Sequence, residues 1–460
     1  MSKVDTIVIG AGLSGLSCAY YLKKLGHSVQ VFESSSRVGG VLSRELREGF
    51  NLELGANSFL LKEELRPFLD DLGVEIIDSS PLAAIKYLCL ESSSGYKLIK
   101  APRGLREFLK FEILSFKGTV RLLLEPFIKK NAIADSSVDE FISERFGREF
   151  ANRVVATALN GIYAANTKTL SIRSALPFLW KLYQENGSVI KGFVFGKSKR
   201  RKGKSKIVSF VGGMQSLPQA LAKSLGDSLR LNANVVELLL GELLLGDLLL
   251  EERTSGIGVK LATGEEFYAR NLVLACPTES AAGLIQKIDS DLAASIQAIP
   301  YAPLGMLYLS GEKGDHQQSL AGVGFLKQPK VGAALLGVLY STSSFPNQNE
   351  SNLKKVLLTC FVGGMLNPEL SDVSLTTVAD SAFKEAKEIL GLGASFKILH
   401  AYYWPKAIPS YPVGHFKLVS KVKELEKRNI YFATNWLERP GLPDCILRGE
   451  EIAQKILKIG

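Results

Sequence analysis

The stretch Ile7-Val8-Ile9-Gly10-Ala11-Gly12-Leu13-Ser14-Gly15-Leu16 constrains the fold more than any other part of the chain. It reads as a buried β-strand that turns through three glycines into a helix. A short apolar stretch, Val29-Gln30-Val31-Phe32, follows and ends at Glu33, 18 positions beyond Gly15. This is the fingerprint of a dinucleotide-binding βαβ unit. Gly10 allows the tight turn, Gly12 lets backbone N–H groups approach a pyrophosphate, and Gly15 lets the helix lie close to the strand. The phosphates then sit at the positive end of the helix. Glu33 stands where a carboxylate accepts hydrogen bonds from a ribose hydroxyl pair and repels an NADP phosphate.

The fingerprint has company. Ser36-Arg37-Val38-Gly39-Gly40 supplies a second glycine turn with a cation beside it, and Gly55-Ala56-Asn57-Ser58 supplies a third. This pairing separates a flavin site from a plain nicotinamide site.

At 460 residues the chain is long enough for two or three lobes, each with its own core. No window offers the 18 or more apolar residues that a spanning helix needs. The leucine-heavy run from Val235 to Leu250 is interrupted by Glu237, Gly241, Glu242, Gly246 and Asp247, and segment 237–255 reads as a low-complexity insertion of poor order. The chain is in a strand by Thr6, which leaves no room for a signal or transit peptide and predicts a cytoplasmic protein. Cys18, Cys89, Cys276, Cys360 and Cys445 lie far apart and read as buried free thiols in a reducing compartment. His27, His316, His400 and His415 lack metal-ligand spacing, so no metal is assigned. The net charge of +10 is uneven, with seven Lys or Arg between Lys197 and Lys206. That run reads either as a solvated loop or as a contact for anionic lipid headgroups. Nucleic-acid binding is disfavoured, because no aromatic residues interleave the basic run.

The middle of the chain changes period. Leu105 to Phe116, Thr119 to Lys130 and Val138 to Tyr163 carry helical spacing, with Ser137 and Glu140 forming a capping box. From Ile207 strand patterns return, including Asn232 to Val235, Asn271 to Ala275, and an antiparallel pair at Gly256–Leu261 and Glu265–Ala269. Ala302 to about Phe361 predicts a lobe on an antiparallel sheet. Ile430 to Asn435 reads as a strand, Gly441 to Cys445 as a loop and Ile446 to Ile459 as a helix.

A longer series of motifs identifies a family. Ser137-Val138-Asp139-Glu140-Phe141, Arg145-Phe146-Gly147-Arg148-Glu149, Asn160-Gly161-Ile162-Tyr163, Leu170-Ser171-Ile172-Arg173 and Asn186-Gly187-Ser188-Val189-Ile190 resemble the oxygen-dependent, FAD-containing protoporphyrinogen oxidases. The likeness continues in order through Gly212 to Pro218, Phe361 to Gly364, Trp404 to His415 and Pro443 to Ile446. The resemblance implies an α/β, multidomain chain: a discontinuous Rossmann-like FAD domain (1–80, 207–280, 401–460), a helical membrane-contacting domain (95–206) and a substrate domain on an antiparallel sheet (81–94, 281–400). It implies six-electron oxidation of protoporphyrinogen IX, with hydrides passing to flavin N5 and molecular oxygen as acceptor. It further implies a peripheral position on the cytoplasmic face of a membrane, homodimers, and hand-off of product to ferrochelatase. No acid–base side chain is assigned.

For FAD the resemblance implies Gly10, Ala11, Gly12, Leu13, Ser14, Gly15, Glu33, Arg37, Gly39, Gly40, Gly55, Ala56, Asn57, Ser58, Val235, Trp404, Pro440, Gly441 and Leu442. Val235 contacts the adenine through its backbone, and Trp404 either packs near the isoalloxazine or is plain core. For substrate it implies Leu326, Leu339 and Phe361 around the tetrapyrrole, which on pattern alone are also ordinary sheet core. It implies Lys86 for a propionate, otherwise a solvated lysine, and Gly161 against a pyrrole ring, otherwise a helix-ending glycine. Thr434, Glu438-Arg439-Pro440 and Ala164-Ala165 depart from the family's usual small residues near flavin and substrate. Two alternatives stand beside this reading: coproporphyrinogen III oxidation on the same scaffold, and a non-redox binding protein like the GDP-dissociation inhibitors. An amine oxidase or carotenoid desaturase is more distant.

Overall fold

A computed structural model describes residues 3–93, 95–102, 107, 113–131, 133–196, 206–240, 256–346, 354–367 and 373–459. Its described strands are β1 (Lys3–Ile9), β2 (Val29–Phe32), β3 (Arg44–Arg47), β4 (Phe50–Glu53), β5 (Phe59–Leu61), β6 (Ile76–Asp78), β7 (Lys86–Ser92), β8 (Gly95–Lys100) and β9 (Lys206–Phe210). They continue as β10 (Leu229–Arg230), β11 (Val235–Leu240), β12 (Ile257–Leu261), β13 (Glu266–Leu274), β14 (Tyr301–Glu312), β15 (Gly324–Lys327), β16 (Leu335–Leu339), β17 (Lys355–Gly363), β18 (Lys397–Pro409) and β19 (Ile430–Phe432).

Runs such as Ile7-Val8-Ile9 are apolar at every position because both faces of their sheet are covered. Strands β10, β2, β1 and β13 lie side by side in parallel, β19 adds to β13 in parallel, and β12 and β11 follow antiparallel. Val8, Val31 and Val273 point into one core, with α1 (Leu13–Lys24) and the C-terminal helix Leu442–Ile459. Ile7, Ile9, Leu272 and Leu274 point into the other, with the helices Thr278–Ile285 and Ser290–Gln297. Three separate stretches of sequence build this one sheet.

The second sheet runs β18-β14-β17-β16-β15-β7-β8. Phe325, Val338, Cys360 and Val362 on one face pack against Val378, Ala382 and Ile389 of the helix Leu375–Leu390. The opposite face is turned towards a helical lobe whose own core includes Val138, Phe141, Ile142, Trp180 and Tyr183.

Several local expectations are corrected. The second sheet is mixed rather than purely antiparallel, because β15 pairs with β7 in parallel. In place of a helix over Thr119–Lys130, a helix spans Phe116–Leu123, capped by the Ser115 hydroxyl; Pro126, which has no N–H to donate, sits in a separate short turn, Glu125–Phe127. Val138–Tyr163 is interrupted at Gly147, whose φ is +94°. Asn232 to Asn234 form a turn rather than a strand, with Asn232 at φ +53°. The third stretch is shorter, with β19 ending at Phe432. The C-terminal helix begins at Leu442, four residues before Ile446, since proline is tolerated in a first helical turn. Within the leucine-heavy run, whose period reads as strands or turns, Val235–Leu240 is a strand paired with β12; residues 241–255, most of the basic run and most of 105–112 lie outside the described residues. The five cysteines are free and buried. Among the described residues no group of three metal-binding side chains occurs, and no helix is long and apolar enough to cross a membrane.

Candidate functional site

The first glycine turn is shaped by close approach. A Cβ on Gly15 would lie 2.1 Å from the Gly10 carbonyl oxygen and 2.8 Å from Ala275 Cβ, so only glycine lets α1 settle onto the β1–β13 junction. Gly12 faces open space, with nothing within 4 Å of an added Cβ. Gly12 caps α1 without a side-chain hydrogen bond, and the first turn of α1 holds no acidic residue. Its N–H groups are therefore offered outward, as an anion needs.

The other predicted cofactor residues converge on this turn. The Gly39 N–H donates to the Ala11 carbonyl at 2.8 Å. Arg37 folds over its own turn, its guanidinium 2.7 Å from the Gly40 carbonyl. Gly55 packs on the backbone of Val41, 2.1 Å from its carbonyl by an added Cβ. Glu33 accepts from the Ala11 N–H at 2.7 Å and from the Ser35 N–H and hydroxyl at 2.9 and 2.7 Å. These bonds fix the carboxylate, fill Oε1 and leave Oε2, which takes only the Ala11 N–H, with acceptor capacity for a sugar hydroxyl. The Ala233 N–H donates to the Glu33 carbonyl at 2.8 Å, which brings the start of β11 and half-buried Val235 alongside. Trp404 donates its indole N–H to the Leu54 carbonyl, next to Gly55. Pro440, Gly441 and Leu442 open the C-terminal helix, which crosses α1 at Gly449 and is tied to the third turn by Lys62–Asp444 at 2.9 Å. The residues present fit a dinucleotide: open glycine turn, uncapped helix end and positioned acid lie together.

The predicted substrate residues also share a surface. Leu326 stands opposite Gly337, and Gly337 opposite Phe361. Two residues along, Lys86, Gly324 and Leu339 stand in register. Side chains two apart on a strand point the same way, so Leu326, Leu339, Phe361 and Lys86 lie on one face, away from the Leu375–Leu390 helix. The three apolar side chains are half-buried, and Lys86 is exposed with no ion pair among the described residues. Gly161, on the helix Ala156–Tyr163, lies against Leu326, where an added Cβ would come within 2.5 Å of Cδ2.

Sequence reasoning passed over Glu53, the last residue of β4. It is buried and accepts the Met214 N–H at 2.9 Å through Oε1, while Oε2 has no partner. Burial pushes its carboxyl up to about 7, against the opposing pull of the Met214 N–H and Arg44. It also passed over the side chain of Asn160, whose oxygen is buried without a partner, whereas Thr434, singled out as a departure from the family pattern, has its hydroxyl buried and unpartnered just beyond β19. Burial also raises the thiols, Cys18 and Cys276 to about 12, which marks them as inert packing groups.

The family described as flavin containing amine oxidoreductase matches residues 13–457. The chain belongs to that family. It is an oxidoreductase, and its cofactor is FAD. The mitochondrial protoporphyrinogen oxidase of Nicotiana tabacum is 30% identical over 93% of this chain and 90% of its own length. The coproporphyrinogen III oxidase of Bacillus subtilis (strain 168) is 22% identical and covers 97% of both chains. A crystal structure from Exiguobacterium sp. 255-15, assigned provisionally as a protoporphyrinogen oxidase, shares the fold with a TM-score of 0.77 at 19% identity over 100% of both chains. The glycine turns that converge at Gly10–Gly15 belong to a chain of that family with an amine-oxidase-type α/β fold.

Proposed function

We propose that this flavoprotein oxidises protoporphyrinogen IX to protoporphyrin IX, with molecular oxygen as electron acceptor. The observation that carries the reading is the half-buried face of Leu326, Leu339 and Phe361 in register with the unpaired ammonium of Lys86. A large apolar macrocycle with anionic tails needs that combination: dispersion and water exclusion across its faces, and a cation at its edge. When bound, FAD supplies hydride acceptance at N5 and delivery of electrons to oxygen. The chain's residues then bind, orient and exclude water. Gly161 lets its helix lie directly against Leu326 at the edge of that face, and Lys86 holds a propionate as a point charge.

The test is direct. Purified protein carrying flavin absorbance near 450 nm (approximate position for bound flavin) is assayed with each porphyrinogen by porphyrin fluorescence and oxygen uptake. Turnover of protoporphyrinogen is expected, and inactivity on both substrates overturns the proposal. Lys86→Ala should raise KM roughly tenfold with kcat little changed; an unchanged KM returns Lys86 to a solvated lysine.

Coproporphyrinogen III, with four propionates rather than two, is the second reading, favoured by the full-length likeness to the Bacillus protein. A single unpaired lysine on the sheet face supports the dicarboxylate.

The helical lobe is proposed to rest on an anionic membrane on the cytoplasmic side. Phe116, Phe127, Phe193 and Phe195 are 85%, 82%, 52% and 80% exposed, and Lys117 and Lys191 are exposed beside them in sequence. Large apolar side chains left in water mark a contact surface, and adjacent lysines suit acidic headgroups. Co-sedimentation with phosphatidylserine vesicles should be lost on Phe193→Ser with Phe195→Ser; retained binding would reject this surface.

A further inference from the structure

Thr434 to Gly441 joins β19 to the C-terminal helix without a strand or helix of its own. Thr434, Trp436 and Leu437 are buried, so the carbonyls of this loop need donors from elsewhere. Two donors come from one short segment, Tyr411–His415. The Tyr411 hydroxyl donates to the Asn435 carbonyl at 2.6 Å, and His415 Nε2 lies 2.9 Å from the Leu437 carbonyl. A carbonyl only accepts, so that ring nitrogen carries the proton. Both side chains are buried, and their ring centroids lie 4.9 Å apart.

The same segment is stitched to the helical lobe. The Ser171 N–H donates to the Tyr411 carbonyl at 2.8 Å, and the Val413 N–H to the Thr169 carbonyl at 3.3 Å. Asp135 Oδ2 accepts the Gly414 N–H at 2.9 Å and the Ser171 hydroxyl at 2.8 Å. Tyr411 itself belongs to the lobe's core with Phe141 and Tyr183. These five residues thus hold the lobe through their backbone and the loop through two side chains. Beyond its end the loop delivers Leu442 to the core that also takes Val38 and Ala56 of the glycine turns. The helix it starts then crosses α1, with Gly449 against the Ser14 carbonyl. Where the loop lies therefore decides how the C-terminal helix closes on the first glycine turn.

We propose that Tyr411–His415 is a strap by which the helical lobe holds this loop, with Tyr411 and His415 as positioning residues for retention of FAD. Neither side chain is assigned a contact with flavin or substrate; each acts through a main-chain carbonyl. The inference concerns the cofactor alone and goes beyond the choice of porphyrinogen.

The experiment follows release of FAD from the diluted holoenzyme by recovery of flavin fluorescence, with the visible flavin spectrum and Tm of the same samples. Tyr411→Phe keeps the ring and loses only the hydroxyl. His415→Leu loses the donor, and His415→Gln restores an N–H. Asp135→Ala cuts the strap on the lobe side, at a side chain with no bond to the loop. Ser374→Ala removes the cap of the Leu375–Leu390 helix behind the second sheet and controls for simple loss of stability.

Release should quicken about tenfold in Tyr411→Phe and His415→Leu, the effect of one lost buried hydrogen bond, with a changed flavin spectrum, and by a smaller factor in Asp135→Ala. His415→Gln should stay within about twofold of wild type, and Ser374→Ala should release FAD at the wild-type rate despite a lower Tm. Wild-type release in Tyr411→Phe or in Asp135→Ala would overturn the proposal, as would equal quickening in Ser374→Ala or no rescue by His415→Gln. Should His415→Leu fail to fold, Tyr411→Phe and Asp135→Ala decide the matter between them.

Discussion

Glu125 in the helical lobe and Glu53 beneath the cofactor turns are both buried carboxylates, yet their surroundings are completed to different degrees. Glu125 Oε1 receives Arg145 Nε at 3.0 Å, Nη2 at 2.7 Å and the Val189 N–H at 3.1 Å. Its Oε2 receives the Ser188 hydroxyl and the Ile190 N–H. Arg145 spends its remaining donors on the carbonyls of Ile128, Lys129 and Gly187, at 3.0–3.1 Å. Glu53 keeps one oxygen unpaired, as Asn160 and Thr434 do. The chain closes the buried polar network around Glu125 and leaves acceptors open at Glu53, Asn160 and Thr434.

The largest expected effect tests the closed side. Arg145→Met should cost about 3–5 kcal/mol in denaturant unfolding, because Glu125 is left charged and unpaired. A loss below about 1 kcal/mol would break the contrast, whereas recovery in the Glu125→Gln, Arg145→Met double variant would sharpen it.

The open side gives the next effect, with a pH signature. The Glu53 carboxyl sits at about 7 in the folded protein against an ordinary 4.5. Between those values the folded state holds a proton that the unfolded chain has released, so stability falls as pH rises through the window and levels off above it. Glu53→Gln should gain on the order of 3 kcal/mol over wild type at pH 8 and little at pH 4, read from Tm at both. A gain independent of pH would mean that Glu53 does not titrate there. The smallest effect is local: Ser137→Ala removes the hydroxyl of a complete capping box in the helical lobe and should cost about 1 kcal/mol.

The glycine-turn βαβ unit was legible because its physics is local. Gly10, Gly12, Gly15 and Glu33 need particular backbone shapes at fixed offsets, and Ser137 announced the helix that begins after it. The slot was not legible from pattern. Leu326, Leu339 and Phe361 alternate like any strand core, and only register places them on one face with Lys86. The parallel pairing of β7 with β15 joins segments with no mutual sequence signal. Pro443 looked like a loop residue because its tolerance at a helix start depends on the turn around it. Asn160 gave no signal beyond its place in a motif, since an unpaired carboxamide is defined by its neighbours.

The split construction of the first sheet has a consequence for biogenesis. β1 begins at Lys3, and the helix that braces its glycine turn ends at Ile459. During synthesis the first βα unit leaves the ribosome long before β19 and that helix exist to cover it, while the helical lobe, continuous in sequence, has its core residues together much earlier. The nascent chain must carry an exposed nucleotide fold until that helix has been made, so loading of the vitamin-derived prosthetic group waits for a segment more than 400 residues downstream of β1.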